Sequence, residues 1–323
     1  MNQFLDRYGW SVVKEFPQDG SVRKYCRVEK NNQTAILMDA VEPEASGNRI
    51  DDFIRIGEWL NTIGLKAPEI YEADGPYLLL EDFGDVSFKS AIEQGSDVAE
   101  LYSLARDILE VMKDEDCPLE LPDFYDARVY KGREFLIDWY LPAIGFENGQ
   151  HVLNAYLEAW NEIENTLPDC PQGFLHIDFH VENLMWLPEE QGIKRCGILD
   201  FQGAMIGPKP YDLANLLEDA RADVSEDIRT DILSQYDVEF CAWYRVLATM
   251  FHCRLMGQFI KIALEQDNDK YLQYLPRVSG YINEALNDPI LGPLNTFFKD
   301  IKLDFSDIKS LNADEFSTNI NKA

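Results

Sequence analysis

Alternating hydrophobic positions dominate the first part of the chain, and helical spacing dominates the remainder. Alternation and turn residues predict strands at residues 22–28, 34–40, 67–71 and 77–80. Asn31-Asn32 joins the first two, which predicts a hairpin. Helical spacing predicts a short helix from residue 1 to about residue 16, leading into the first strand, and another at residues 48–63 that ends at Gly64.

A polar break at residues 81–85 follows the last of these strands. Beyond it, Ser96-Asp97 is expected to cap a helix that extends to about Lys113 and turns five apolar residues inward: Leu101, Leu104, Ile108, Leu109 and Met112. Further helices are predicted at residues 152–167, 211–221 and within 224–286.

The change of pattern predicts an α+β chain with two parts. We place the boundary after residue 82, so that residues 1–82 form an N-terminal, strand-rich lobe. Residues 83–310 form a larger helical lobe. Residues 311–323 are polar and are expected to be a frayed tail.

The net charge of the chain limits the classes of binding partner that we expect. The 323 residues include 29 Lys and Arg against 58 Asp and Glu, which gives a formal net charge of −29. Such a charge repels nucleic acids and anionic membrane surfaces, and it also keeps a protein in solution. We therefore expect a small-molecule substrate, with no nucleic acid and no membrane as partner, and the sequence indicates no protein partner.

Cysteine usage and apolar stretches predict a cytoplasmic protein. The six cysteines form no C-x-x-C pair and have no histidine at metal spacing, so we interpret them as reduced thiols. The first residues, MNQFLDRYGW, lack the plan of a signal peptide. The most apolar long stretch, residues 243–264, contains four basic or histidine residues, which favours an amphipathic packing helix over a membrane span.

The strongest chemical signal lies in residues 173–202. His176-x-Asp178-x4-Asn183 is followed by an apolar strand that ends in Asp200. Phosphoryl transfer from ATP requires a carboxylate that accepts a proton from the attacking hydroxyl, and oxygen ligands that hold Mg²⁺ against the phosphates. Asp178 fits the first role, and Asn183 and Asp200 fit the second. The alternative is a structural loop in which the Asp and Asn side chains only cap turns.

Two histidines accompany this motif. We expect His176 to brace the loop through a hydrogen bond rather than to take part in the chemistry. For His180, an approach to the phosphates and an ordinary loop position are equally good interpretations.

The segment HIDFHVENLMW resembles the H-x-D-[FYL]-H-x-x-N-[LI] loop of the aminoglycoside phosphotransferase superfamily. Other segments are similar to the bacterial N-acetylmuramate/N-acetylglucosamine anomeric kinases of cell-wall recycling. They are spread over about residues 4–295: GSVRKYCRV, AILMDA, the E-x-x-x-x-W-Y that begins at Glu134, ILDFQGAMIGPKPYDLANLL, and Y-L-x-x-L-P-R from Tyr271.

This resemblance implies an enzyme with a bilobal, protein-kinase-like fold, in which residues 1–82 bind the nucleotide and residues 83–310 carry catalysis and the substrate site. The enzyme would be a kinase that uses ATP and Mg²⁺ and transfers the γ-phosphoryl group to an alcohol. A sugar hydroxyl would be presented to Asp178. The resemblance also implies binding residues. The connector residues Glu81 and Phe83 would lie at the adenine, and Glu134 and Trp139 would lie near the sugar. Glu134 is equally well interpreted as a surface carboxylate, and Trp139 as a core tryptophan.

Four further residues are assigned, two after the catalytic loop and two in the turn before the first strand. Gln202 follows Asp200-Phe201 and is expected to face the same cleft and contact substrate. Asp212 opens a helix, and the superfamily has an Asp there that steadies the catalytic loop, so we interpret it as structural. The turn with Gly20 and Ser21 could lay backbone N–H groups over phosphates, although most such turns only reverse the chain.

One position departs from the kinase pattern. Kinases offer a strand lysine to the α- and β-phosphates, and the matching residue in Ala35-Ile36-Leu37-Met38 is Met38. The neighbouring strand supplies Arg23, Lys24 and Arg27 as replacement cations, with Arg23 and Arg27 on one face and Lys24 on the other. A solvated strand edge is an equally good interpretation of these three residues. Glu58 receives no catalytic assignment, because no strand lysine needs a partner.

The function predicted is an ATP- and Mg²⁺-dependent kinase for the anomeric hydroxyl of an N-acetylated amino sugar. One alternative keeps the fold and changes the acceptor to an aminoglycoside or choline, which a negative cleft would attract. Another, from a different class, is a non-catalytic pseudokinase that binds nucleotide, supported by the missing lysine alone.

Overall fold

The computed structural model describes residues 1–17, 23–40, 50–146, 148–306 and 308. The predicted tail at residues 311–323 lies outside them. Contacts divide the chain into two compact units. Unit 1 comprises Met1–Glu120 and His176–Ala204, and unit 2 comprises Leu121–Leu175 and Met205–Ala323. The predicted lobe boundary after residue 82 remains a prediction.

The helices and strands are named in chain order. They are α1 (Asn2–Tyr8), β1 (Ser11–Glu15), β2 (Lys24–Lys30), β3 (Gln33–Asp39), α2 (Ile50–Thr62), β4 (Ile70–Asp74), β5 (Tyr77–Glu81), α3 (Phe88–Glu93), α4 (Val98–Asp114), α5 (Tyr130–Gly132), α6 (Leu141–Ala143), α7 (Gln150–Thr166), β6 (Gln172–Leu175), β7 (Leu184–Trp186), β8 (Cys196–Ile198), β9 (Met205–Pro208), α8 (Pro210–Leu217), α9 (Glu226–Leu233), α10 (Val238–Gln266), α11 (Leu275–Ala285) and α12 (Gly292–Asp300). Two π-helical turns, Tyr125–Val129 and Leu136–Tyr140, flank α5.

Unit 1 contains an antiparallel sheet of five strands in the order β1-β2-β3-β5-β4. Asn31 and Asn32 both have positive φ, 51° and 64°, which is the geometry of a two-residue hairpin turn and confirms the predicted hairpin. Helix α1 packs on one face of the sheet, against a buried cluster that includes Val28 of β2, Leu37 of β3 and Leu79 of β5. The predicted strands are therefore present, with ends shifted by a few residues.

The prediction of a helix to about residue 16 was wrong. Helix α1 ends at Gly9, which adopts a left-handed conformation with φ 73° and donates its N–H to the Leu5 carbonyl. The chain then pairs with β2 as strand β1. All five side chains of β1 are exposed, so no period of burial marks it in the sequence.

The predictions of helices α2 and α4 in unit 1 are confirmed. The Asp97 side chain accepts a hydrogen bond from the Glu100 N–H and caps α4, and all five residues predicted to face inward are buried. Helix α2 ends just before Gly64, whose φ of 86° suits glycine. In addition, β7 and β8 form a small antiparallel pair. The predicted metal ligand Asn183 directly precedes β7, and Asp200 follows shortly after β8.

Unit 2 is mostly helical and is organised around α10. The prediction of an amphipathic helix was wrong, because buried residues occur on every side of α10 between Trp243 and Ala263. The close packing depends on two glycines. A Cβ at Gly257 would lie 1.9 Å from the Phe135 carbonyl oxygen, and one at Gly132 would lie 2.5 Å from Cδ of Arg254. Among the described residues, no helix is long and apolar enough to cross a membrane.

A buried carboxylate, Glu218, ties α8 to α10 within unit 2. Its Oε1 accepts hydrogen bonds from Tyr244 Oη at 2.9 Å and from Arg245 Nη1 at 3.2 Å. Arg229 Nη1 lies 4.0 Å from the same oxygen. His252 donates its Nε2–H to the Glu218 carbonyl oxygen at 3.0 Å, and burial lowers the pKa of this imidazole. Because the carboxylate is 1% exposed, its charge is balanced by these neighbours rather than by water.

Candidate active site

The predicted catalytic loop, residues 176–183, precedes β7 in unit 1. Ile177 adopts the left-handed region with φ 81°, although it is β-branched, and its side chain is buried. Such a conformation costs about 1–3 kcal/mol and persists only where the surroundings impose it. This strain falls on the residue immediately before Asp178, as is common at functional sites.

His176, which we predict to brace the loop, forms a hydrogen bond to the segment before Asp200. It is fully buried, and its Nε2–H donates to the Leu199 carbonyl oxygen at 2.9 Å, next to Asp200. Its ring meets Phe179 edge-on, with centroids 5.5 Å apart. Burial lowers the pKa of His176 from 6.5 to about 4, so the imidazole is neutral at physiological pH. His176 thus links the segments that carry Asp178 and Asp200.

This pKa predicts that acid destabilises the fold through His176. Between pH 6.5 and about 4 the unfolded chain binds a proton at this position and the folded chain does not, so stability is present above pH 6.5 and is lost as the pH falls. The expected loss is about 3 kcal/mol for this group. Urea unfolding of the wild type and of His176→Asn near neutrality and near pH 4 measures it. The variant should lose less stability on acidification, and equal losses would contradict the prediction. His252 has a pKa lowered in the same direction and is present in both proteins.

Asn183 is held in a single orientation. Its Nδ2 donates to the Asp178 carbonyl oxygen at 2.9 Å, and because a carbonyl only accepts hydrogen bonds, the amide nitrogen must face that way. The amide oxygen therefore points in the other direction. The backbone carbonyl of Asn183 accepts a hydrogen bond from the Leu199 N–H at 2.9 Å. Asn183 is thus bonded to Asp178 on one side and to the residue before Asp200 on the other.

Asp200 follows β8 in a left-handed conformation with φ 61° and has an exposed carboxylate. Gln202 donates its Nε2–H to Oδ1 of Asp200 at 2.5 Å. Gln202, which we predicted to contact substrate, is therefore placed beside the predicted metal ligand, and its role at the substrate stays a prediction.

Phe201 anchors the segment after Asp200 to α2. Its ring is fully buried and lies 4.8 Å from that of Phe53, centroid to centroid. A Cβ at Gly57 would lie 3.1 Å from the Phe201 ring, so the missing side chain makes room for it. Sequence reasoning missed this contact, for which the glycine inside an otherwise apolar helical face was the available signal.

Contacts within unit 1 also hold the side chains of the connector residues Glu81 and Phe83. Glu81 pairs with Lys66 at 2.6 Å and accepts the Glu69 N–H at 3.2 Å, so its carboxylate is engaged in structure. The Phe83 ring packs on β8, where a Cβ at Gly197 would lie 2.6 Å from it. This contact joins the predicted adenine connector to the strand that leads to Asp200.

Met38, which we predict to stand in place of the kinase lysine, lies on a central strand. Met38 is fully buried on β3, opposite Tyr25 and Leu78. Alternation along β2 places Arg27 on the face of Met38 and Lys24 on the other face, as the sequence predicts. The sheet is paired on both sides of β3, so Met38 occupies a core position rather than a solvated edge.

Arg27 is already paired with acidic residues. Its guanidinium makes two bonds to Asp82, at 2.7 and 3.0 Å, and a third to Asp85 at 2.8 Å. This cation holds the pKa of the Asp85 carboxyl below its usual value. Arg23 is buried, with 2% exposed. Gly20 and Ser21 lie outside the described residues, and all four assignments to the nucleotide stay predictions.

The predicted sugar residues belong to unit 2. Glu134 and Trp139 are half-buried, in and beside the second π-helical turn. The Lys261 ammonium of α10 lies 5.2 Å from the centre of the Trp139 indole. Asp212 is buried as the third residue of α8, whose N-cap is Lys209, and its structural role stays a prediction.

Unit 1 thus brings together Asp178, Asn183 and Asp200 through the bonds of Asn183 and Leu199. Their side chains offer carboxylate and amide oxygens, which are the ligands of a hard cation such as Mg²⁺. In the described ranges no three His, Cys, Asp or Glu side chains converge on a metal-binding cluster. The donor set fits a cation that keeps water and phosphate oxygens as further ligands. The metal ligands themselves remain a prediction.

Comparison with proteins of known sequence and structure identifies the family. The model of the phosphotransferase enzyme family matches residues 12–248. The N-acetylmuramate/N-acetylglucosamine kinase of Caulobacter vibrioides is 28% identical over 340 residues, which cover 91% of this chain and 94% of that protein. The protein of that name from Pseudomonas putida is 28% identical over 291 residues, covering 83% of this chain and 81% of its own.

Solved structures agree in fold. The choline kinase LicA from Streptococcus pneumoniae has a TM-score of 0.61 at 16% identity and covers 89% of this chain and 98% of its own. The ADP-bound aminoglycoside phosphotransferase APH(2'')-Ib has a TM-score of 0.58 at 15% identity, with 88% and 97% covered. The α+β, bilobal, kinase-like fold is therefore confirmed. The chain belongs to the phosphotransferase enzyme family and is a kinase that transfers a phosphoryl group to an alcohol.

Proposed function

We propose that this enzyme transfers the γ-phosphoryl group of ATP to the anomeric hydroxyl of an N-acetylated amino sugar. The observation that carries the proposal is the similarity over nearly the whole length of both chains to a protein named for N-acetylmuramate and N-acetylglucosamine. Three further proteins of that name, from two Pseudomonas species and Neisseria meningitidis, are 25–28% identical over 83% of this chain.

Asp178 is the proposed proton acceptor. Its backbone carbonyl is fixed by Asn183, and its neighbour Ile177 is strained, so the loop presents the carboxylate in one arrangement. The sugar hydroxyl donates its proton to Asp178 as its oxygen attacks the γ-phosphorus, while the bond from the γ-phosphorus to the bridging oxygen breaks and ADP leaves.

Asn183 and Asp200 are the proposed ligands of Mg²⁺. When bound, the cation supplies positive charge to the β- and γ-phosphate oxygens. Gln202 holds one oxygen of the Asp200 carboxylate, which orients the other, and His176 keeps the two segments in register. Catalysis then depends on positioning and electrostatics, because there is little covalent chemistry for the protein to perform.

ATP is proposed to bind at the connector, with the adenine near Glu81 and Phe83. The neighbour solved with ADP supports nucleotide use in this fold. Since Met38 cannot neutralise phosphates, Arg23 and Arg27 are the proposed cations, together with the backbone of Gly20 and Ser21. Phosphate binding at Arg27 requires this guanidinium to exchange its pairs with Asp82 or Asp85.

The amino sugar is proposed to bind in unit 2, at Glu134 and Trp139, with Gln202 at the reacting end. A half-buried indole offers an apolar face on which a sugar ring can stack. The carboxylate of Glu134 offers acceptors for sugar hydroxyls.

A substrate panel tests the proposal. Purified enzyme with ATP and Mg²⁺ is supplied with N-acetylmuramate, N-acetylglucosamine, an aminoglycoside or choline, and ADP release is measured. Phosphorus NMR of the product then locates the phosphate. We expect turnover with an N-acetylated amino sugar and a phosphate at its anomeric carbon. Turnover with the amines alone would favour the alternative acceptor, and nucleotide binding without turnover would favour a pseudokinase.

A further inference from the structure

The ammonium group of Lys261, on α10, lies over two aromatic rings within unit 2. Its Nζ is 5.2 Å from the centre of the Trp139 ring and 5.6 Å from that of the Phe135 ring. Phe135 precedes the second π-helical turn, and Trp139 lies within it. A cation within about 6 Å of a ring centre is attracted to the electron-rich face of the ring. Lys261 therefore occupies a position that a cationic ligand would take above these aromatic residues.

The backbone of α10 holds Lys261 at this position. Gly257 lies one helical turn before Lys261 and on the same side of the helix. A Cβ at Gly257 would lie 1.9 Å from the Phe135 carbonyl oxygen, so the helix approaches this segment more closely than a residue with a side chain would allow. Because the helix and the segment meet at Gly257, the next turn of α10 brings Lys261 over the two rings.

The charge of Lys261 is not removed from solvent. Lys261 forms an ion pair with Glu265 at 3.4 Å, one turn further along α10, and the two side chains are 35% and 48% exposed. Water screens exposed pairs of this kind, and they contribute little to stability. A ligand that approaches the Trp139 ring therefore still meets an ammonium group.

Trp139 is one of the proposed acceptor residues, and an indole by itself does not decide which acceptor binds. Sugars and quaternary amines both stack on indole rings. The fold does not decide it either, since solved structures with this fold are named as a choline kinase and an aminoglycoside phosphotransferase. Lys261 distinguishes the two classes of acceptor. A cationic acceptor would meet a like charge above the indole, whereas a neutral or acidic sugar would not.

We infer that Lys261 is a specificity residue, which excludes cationic acceptors from Trp139 and so favours neutral and acidic amino sugars. The inference rests on the proposed function, in which Trp139 contacts the acceptor. It goes beyond that function by assigning the rejection of cationic acceptors to one side chain.

Replacement of Lys261 by methionine tests the inference, with choline as the probe. Methionine removes the charge and keeps an unbranched chain, and Lys261→Gln removes the same charge with a polar side chain. Lys261→Arg keeps the charge. Lys131→Met is the matched control, because Lys131 is an exposed lysine on the segment before Phe135. The Kd of choline is measured by NMR titration, and KM for N-acetylglucosamine by ADP release.

We expect the Kd of choline to fall about tenfold relative to KM for N-acetylglucosamine in Lys261→Met and in Lys261→Gln, as the indole face becomes open to an external cation. Lys261→Arg and Lys131→Met should bind choline as the wild type does. The expected result is a gain of binding, so loss of folding cannot imitate it. In a Trp139→Leu background, the replacement of Lys261 should no longer tighten choline binding.

Unchanged choline binding in the two uncharged variants would overturn the inference. Equal tightening in Lys131→Met would also overturn it, because the cause would then be the net charge of the chain rather than the position of Lys261. Tightening that persists without Trp139 would do the same. The choline titration needs no turnover, so it decides the inference separately from the proposed function, which fails if no N-acetylated amino sugar is phosphorylated.

Discussion

Replacement of Asp178 by asparagine is expected to lower kcat by about 10²–10⁴-fold, the range for loss of a general base. Asparagine has the same shape, and the backbone carbonyl that Asn183 binds is unchanged, so the loop should keep its structure. What is lost is the acceptor for the hydroxyl proton. The measurement is ADP release under saturating ATP and N-acetylated sugar, with the affinity for nucleotide determined separately by titration.

The matched control is Glu182→Gln in the same loop. Its carboxylate forms a partly exposed pair with Lys89 at 2.6 Å, and such pairs contribute little to stability. This variant removes the same charge from another carboxylate of the same loop and should retain kcat within about twofold. Full turnover in Asp178→Asn, or an equal loss in both variants, would contradict the role of Asp178.

Replacement of Glu218 by glutamine is expected to destabilise the fold by about 3–5 kcal/mol, the cost of removing one partner of a buried ion pair. The amide has nearly the same volume, so packing is conserved, but it cannot balance Arg245 and Arg229 inside the protein. It also loses the charge that the Tyr244 hydroxyl donates to. Urea unfolding followed by circular dichroism measures the change.

Glu284→Gln provides the control for this prediction. Glu284 contacts the same arginine, Arg229, at 3.4 Å, but its side chain is 52% exposed. Water therefore screens the pair, and the expected loss is at most about 1 kcal/mol. If both variants unfolded at the same urea concentration, burial would not be what makes Glu218 important.

The catalytic loop could be predicted because its chemistry is concentrated in a short stretch. His176, Asp178, Asn183 and Asp200 have fixed spacings, and the bracing position of His176 follows from its neighbours in sequence. The hairpin was predictable for a similar reason, since Asn31-Asn32 encodes its own turn geometry. The assignment of these residues to proton transfer and metal binding remains to be measured.

Other features could not be predicted, because their cause lies in distant residues. Strand β1 has no buried side chain and exists because β2 offers a pairing edge. Helix α10 is surrounded by α8, α11 and the second π-helical turn, so its polar residues do not mark a solvent face. Arg27 was predicted either as a replacement cation for phosphates or as part of a solvated strand edge, and only the fold shows that it pairs with Asp82 and Asp85.

The sequence by itself determined the family and the phosphotransferase chemistry, and it predicts the residues of the catalytic loop, because these depend on side-chain types at short, fixed spacings. Only the tertiary structure decided which distant segments pack together. Arg254 of α10 lies against Gly132, and Gly257 of the same helix lies against the Phe135 carbonyl, although neither pair is close in the sequence. Close packing between distant segments is a property of the folded chain, and no local pattern encodes it.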